Sequence, residues 1–134
     1  MRPGDVFPEL RARLTRGQLL AYADASGDQN QIHQRDDAAQ AAGLPGVVAH
    51  GMLTMGLALR AVTDAVGPER VASYSVRFAK PVVVDAADGA EVVVRAEVKA
   101  VADQLATVAL DVRCGDDKVL GAATVTVRDD EGAR

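Results

Sequence analysis

Apolar positions change their spacing midway along this chain of 134 residues. Before Pro68 they recur at helical intervals, and after it they alternate residue by residue. In the first half, Thr15 and Gln18 have the spacing of a capping box at the head of "TRGQLLAYADASG", and Gly27 can end that helix. Asp36 or Asp37 can cap a short helix through "AAQAA", with Gly43 just past its end. The main helix is expected from Gly51 to Val66, with Gly67 and Pro68 as stop signals. Its front half, with Met52, Leu53, Met55, Leu57, Ala58 and Leu59, is apolar almost all round, which predicts burial.

In the second half, "VASYSVRFAKPV" puts Tyr74, Val76 and Phe78 on one face and Ser73, Ser75 and Arg77 on the other. "EVVVRAEVKAV", "LATVALDVRC" and "VLGAATVTVR" follow, separated by polar turns at Ala102-Asp103 and Gly115 to Lys118. Connections this short imply antiparallel pairing. The stretch from Val6 to Leu14 reads as a weak edge strand. The expected fold class is α+β: one antiparallel sheet wrapped against one buried helix. Residues 1–134 read as a single domain without repeat or linker, with residues 129–134, "DDEGAR", as a frayed tail.

Composition sharpens this. Apolar residues make up 49% of the chain, but there are only two Tyr, two Phe and no Trp, so the core must be built from Val, Ala, Leu and Met. A domain of this size buries only about two-thirds of its unfolded surface. Small core side chains and an open sheet edge therefore predict a dimer, in the first instance of identical chains. The net charge of -4, without any run of Lys or Arg, argues against nucleic acid as a partner. No apolar stretch reaches the roughly 18 residues of a membrane span, and "MRPGDVFPEL" lacks the apolar core of a signal peptide. Cys114 is the only cysteine, which excludes an internal disulfide and fits a reducing, cytoplasmic setting.

Two polar interruptions carry the candidate chemistry. "SGDQNQIH" places Asp28, Asn30 and His33 between two helices, on a loop. A carboxylate beside an imidazole can hold one water and move its protons. Each residue also has a structural explanation, Asp28 as the end of a helical region and Asn30 as an Asx-turn. In "VVAHGMLTMG", His50 and Gly51 stand where the main helix begins. Backbone N–H groups there lack helical partners, and glycine lets a ligand come close to them. The Gly51 N–H is thus a candidate donor to a developing oxyanion. The structural alternative is that Gly51 eases a crowded helix start and His50 faces a void. Two His and one Asp could form a facial metal site, but their irregular spacing does not suggest one, so no metal is expected.

Taken together, Tyr22 to Gly43 and Val47 to Gly56 resemble the hydratase 2 motif of MaoC-like (R)-specific enoyl-CoA hydratases and (3R)-hydroxyacyl-thioester dehydratases. The match is good over residues 15–80, and the strands up to residue 128 are compatible with it. The resemblance implies the hot-dog fold, an antiparallel sheet wrapped around a long central helix. It implies reversible hydration of trans-2-enoyl thioesters of CoA or acyl carrier protein, and dehydration of the (3R)-3-hydroxyacyl forms. It implies Asp28 and His33 as the catalytic pair, the Gly51 N–H as the oxyanion contact, and Asn30 and His50 in support. It implies no cofactor and no metal, and a homodimer or a heterodimer with a related hot-dog subunit. One departure stands out: the family motif has Pro where this chain has Gln31. A hot-dog thioesterase and a non-catalytic partner subunit are the alternatives. The first is opposed by the intact Asp-x-Asn-x-x-His element, the second by the presence of both Asp28 and His33. Arg13, Arg16, Arg35, Arg77 and Lys80 are candidate phosphate contacts against a default of solvated surface.

Overall fold

The Thr15 capping box forms as the sequence predicts, in a computed structural model that describes residues 1–129. Thr15 Oγ1 accepts the Gln18 N–H, and Gln18 Oε1 accepts the Thr15 N–H. Helix α1 runs Arg16–Ser26 and ends where Gly27 turns left-handed, at φ 80°. The short helix α2 is Asp36–Ala41, and the main helix α3 is Gly51–Val66. Five strands form one antiparallel sheet: β1 Leu10–Leu14, β2 Val71–Phe78, β3 Ala90–Ala102, β4 Leu105–Cys114 and β5 Asp117–Arg128. Their spatial order is β1-β3-β4-β5-β2, which leaves β1 and β2 at the edges. Among the described residues, no helix is long and apolar enough to cross a membrane.

The alternation read from the sequence places one face of the sheet inward. Val92, Val94, Ala96 and Val98 of β3 face the same core as Ala106, Val108, Leu110 and Val112 of β4. Arg95, Lys99 and Arg113 point outward from the same strands. Helix α3 lies against the inner face through Thr54, Ala58, Ala61 and Val62, a stripe of small residues that lets the helix come close to the sheet. Tyr74 ties β2 to the helix by donating its hydroxyl to the Met55 carbonyl at 2.7 Å, and burial pushes its pKa up to about 12. The expected hot-dog arrangement, a sheet curved against one long helix, is the one observed.

Four expectations need correction. The front of α3 is not buried all round: Met52 is 61% exposed, because only one side of the helix has the sheet against it. Neither Asp36 nor Asp37 caps α2, whose N-cap is Arg35 with no side-chain capping bond. The β3–β4 turn falls one residue late, at Asp103 and Gln104, whose φ values of 53° and 62° suit a two-residue hairpin loop. Asp129 is not frayed, since the Met1 ammonium pairs with its carboxylate at 3.0 Å and its N–H bonds the Gln104 carbonyl. The rest of the expected tail lies outside the described residues.

A candidate acid–base site at the head of the central helix

The site is assembled by short stretches of irregular chain, each held by its own hydrogen bonds. After Gly27, Asp28 Oδ1 accepts the Asn30 N–H at 3.1 Å, and Asn30 Oδ1 accepts the Ile32 N–H at 3.2 Å. These two Asx-type turns lead into one 3-10 turn, Gln31–His33. Asn30 is therefore the cap of that turn, which explains its place in the loop.

A second support has no local signal in the sequence. Val82 and Val84 do not continue β2. They run beside Val47 to Ala49, joined by Ala49 N–H to Val82 O at 2.9 Å and Val84 N–H to Val47 O at 2.8 Å. The 3-10 turn is stitched to this ribbon by Val48 N–H to Ile32 O at 3.1 Å. Asp36 closes the assembly. It accepts both Arg16 guanidinium N–H groups at 2.8 and 3.0 Å and the Val47 N–H at 3.0 Å, while Arg16 Nε donates to Val84 O. Arg16, and then the Val47 N–H, hold the Asp36 carboxyl below the usual carboxylate range. Arg16 is thus a clamp and not a free phosphate contact. Arg35 is likewise engaged by Asp37 and Lys80 by Asp117.

This frame brings together Asp28, His33, His50 and Gly51, with Asn30 holding the loop beside them. His33 is 7% exposed and its Nδ1 lies 2.7 Å from the Val48 carbonyl. A carbonyl only accepts, so Nδ1 carries a proton, and in the neutral ring Nε2 presents its lone pair. That Nε2 lies 3.9 Å from Asp28 Oδ2, whose side chain is half exposed. The gap is too long for a direct hydrogen bond. A water about 2.8 Å from both atoms would see them at an angle of roughly 90°, near the angle between its own two hydrogens. His50, 2% exposed, lies under the pair. Its ring stacks on His33 with centroids 3.8 Å apart and meets the Tyr22 ring edge-on at 4.8 Å. Its Nε2 lies 3.2 Å from the Asp28 carbonyl oxygen, to which it donates, so Nδ1 is left as a buried acceptor without a partner among the described residues.

His50 is also the residue before α3, and it makes no side-chain cap bond. The amide groups that open α3 therefore remain available beside the Asp28 cavity, which Gly51 and Met52 help to line. That cavity, of about 500 Å³, is open to solvent and also includes Tyr22, Ser26 and Phe78. A Cβ on Gly51 would sit 3.0 Å from the Phe78 ring, so any other residue here would press on that ring and make it give by a few tenths of an ångström. The site reading from sequence missed Tyr22 and Phe78. Their only signal was their scarcity: each is one of two residues of its type. Donor atoms of Asp28, His33 and His50 lie within 4.8 Å of one another, a grouping that by composition also suits a divalent cation.

The Gln31 departure is compatible with this backbone. Gln31 is the first residue of the 3-10 turn, its N–H donates to nothing among the described residues, and Asn30 at φ -58°, ψ 127° has the conformation preferred before proline. Gln31→Pro is expected to raise stability by roughly 0.4–1 kcal/mol, with kcat/KM unchanged or higher. A lower melting temperature together with lost activity would contradict this loop path.

Residues 3–116 match the MaoC like domain family. The 3-hydroxyacyl-thioester dehydratase X of Mycobacterium tuberculosis is 43% identical over 82 residues, which cover 61% of this chain and 29% of that protein. Among solved structures, a MaoC-like dehydratase superposes with a TM-score of 0.93 at 37% identity, over 96% of this chain and 40% of that one. The ChsH1-ChsH2 complex from Mycobacterium tuberculosis gives a TM-score of 0.82 at 29% identity, over 94% and 96% of the respective chains. The chain thus spans less than half the length of the first two relatives. With the family matched over most of the sequence and the same fold in the solved relatives, this chain belongs to the MaoC-like dehydratase family.

Proposed function

We propose that residues 1–134 form one catalytic domain that adds water reversibly across the 2,3 double bond of a trans-2-enoyl thioester, giving the (3R)-3-hydroxyacyl thioester. The carrier is CoA or acyl carrier protein. One observation carries this: the free Nε2 of His33 faces the Asp28 carboxylate across 3.9 Å at the open head of α3. The relatives named above as thioester dehydratases support the substrate class.

In the hydration direction, His33 Nε2 takes one proton from a water that Asp28 also holds. The water oxygen bonds C3 as the 2,3 π electrons move towards the thioester carbonyl. The Gly51 N–H receives the charge that builds on that oxygen, a contact worth about 3–4 kcal/mol in comparable sites. The Asp28 carboxylate stabilises the imidazolium, which then delivers its proton to C2. One water has been added and both groups return to their starting states. His50 and Asn30 hold the pair in place. No step draws on a metal or an organic cofactor, so dialysis against EDTA is expected to leave the rate unchanged.

The test is loss of the enoyl-thioester ultraviolet absorbance on mixing the purified chain with crotonyl-CoA. Release of free thiol from a saturated acyl-CoA, without hydration, would instead establish the thioesterase alternative. The lone free thiol, Cys114, suits a reducing cytoplasm.

The assembly follows from the sheet. Strand β2 is eight residues long and among the described residues has a neighbour on one side only, β5. An unpaired edge of that length is a template for another strand, and α3 leaves Met52 exposed nearby. We therefore expect a dimer, with a second copy or with a related hot-dog subunit, as the name of the ChsH1-ChsH2 complex illustrates for a relative. Sedimentation at micromolar concentration should show twice the chain mass. An active monomer would contradict this, and an inactive homodimer that gains activity on adding a related subunit would establish the heteromer.

A further inference from the structure

The cavity that Asp28 lines also has the Phe78 ring in its wall. Phe78 ends β2, and its ring lies over Gly51 so closely that a Cβ there would approach ring atoms at 3.0 to 3.2 Å. Behind the ring is a second cavity, of about 40 Å³, between the start of α3, the segment after β2 and strand β5. Ala49, Thr54, Pro81, Val82, Val119 and Leu120 line it, together with Lys80. Gly51 and Phe78 line both cavities and form the partition between them.

The two sides of this partition differ in what they can yield. Val82, Val119 and Leu120 are buried and packed into the core, so the inner walls are fixed. Phe78 is 55% exposed in the single chain, which is unusual for so large an apolar ring. The inner space holds on the order of three water-sized groups, and its mostly apolar lining favours hydrocarbon over water. Gly51, the proposed carbonyl contact, stands in the partition itself. With a thioester oxygen on the Gly51 N–H and its carrier in the outer, solvent-open cavity, the acyl tail would meet the Phe78 ring.

We propose that Phe78 is the residue that sets the acyl-chain length accepted by this site. With the ring as found, only a short tail fits; with the ring removed, the outer and inner cavities join and longer tails enter. This rests on the thioester reading of the site.

The experiment is a chain-length series of trans-2-enoyl-CoAs of four, six, eight and ten carbons, with the full chain and its Phe78→Ala and Phe78→Leu variants. The ratio of kcat/KM for eight carbons to that for four is expected to rise at least tenfold in Phe78→Ala, with a smaller rise in Phe78→Leu. Thermal melting accompanies each assay, and Phe78→Leu decides the matter if Phe78→Ala does not fold. An unchanged length profile, or an equal loss at every length, overturns the gate. Calorimetric binding of saturated acyl-CoAs of the same lengths separates the two claims. If no enoyl thioester is hydrated but Phe78→Ala still shifts binding towards longer chains, the proposed activity fails and the gate stands. If hydration proceeds and neither profile moves, the activity stands and the gate fails.

Discussion

Replacing Asp28 by Asn, or His33 by Gln, is expected to lower kcat for hydration of crotonyl-CoA by at least about a hundredfold, the scale of a lost acid or base. The two variants should fail in different ways. The amide of Asp28→Asn retains an oxygen that can accept the Asn30 N–H, as Asp28 Oδ1 does now at 3.1 Å, so the loop should keep its shape. What that variant loses is the negative charge that stabilises the imidazolium. His33→Gln loses the proton acceptor itself. Its new side chain must also replace the 2.7 Å bond to the Val48 carbonyl from a nearly buried position, so a stability loss of about 1 kcal/mol is expected alongside. In both, the loss should fall on kcat more than on KM, because neither group is assigned a contact to the acyl chain or its carrier. Near wild-type hydration by both variants, with melting temperatures intact, would remove the acid–base assignment.

How much of this was legible in the sequence depended on how local each cause was. The Thr15 capping box, the Gly27 stop and the limits of α3 rest on side chains within a few residues of one another, and all three were readable. So was the inward face of β3 and β4, because strict alternation encodes it. The strand order was not, since β1 pairs with β3 and β2 with β5 across long stretches of chain. The burial of His33 was also hidden. Apart from Ile32 its neighbours in sequence are polar, and it is enclosed because Val48 and His50, fifteen and more residues away, close over it. The Arg16–Asp36 clamp and the Val82 to Val84 ribbon belong to the same class: each acts through partners distant in sequence. Motif resemblance compensated for part of this. It named Asp28, His33 and Gly51 as a group, but it could not supply their tautomer, their separation or the ring of Phe78.

His50→Ala is expected to have the next largest effect, on stability and rate together. The ring is almost wholly buried between His33 and Tyr22, so removing it leaves a void costing about 2–4 kcal/mol, as for other large-to-alanine changes in cores. For a chain of this size that is a fall in melting temperature of roughly 6–15 °C. The same change removes the surface on which His33 stacks and the donor to the Asp28 carbonyl. Both members of the acid–base pair then lose a support, and kcat should fall about tenfold or more. His50→Phe separates these effects. It keeps a ring for the stack and deletes both the bond to Asp28 and the unpaired Nδ1, whose burial without a partner costs about 1–3 kcal/mol. The His50→Phe protein should therefore recover most of the stability. If kcat stays low in that variant while the melting temperature returns, His50 positions Asp28 through its hydrogen bond. If rate and stability recover together, the stack on His33 is what matters. A His50→Ala protein that melts early but turns over at the wild-type rate would reduce His50 to a packing residue.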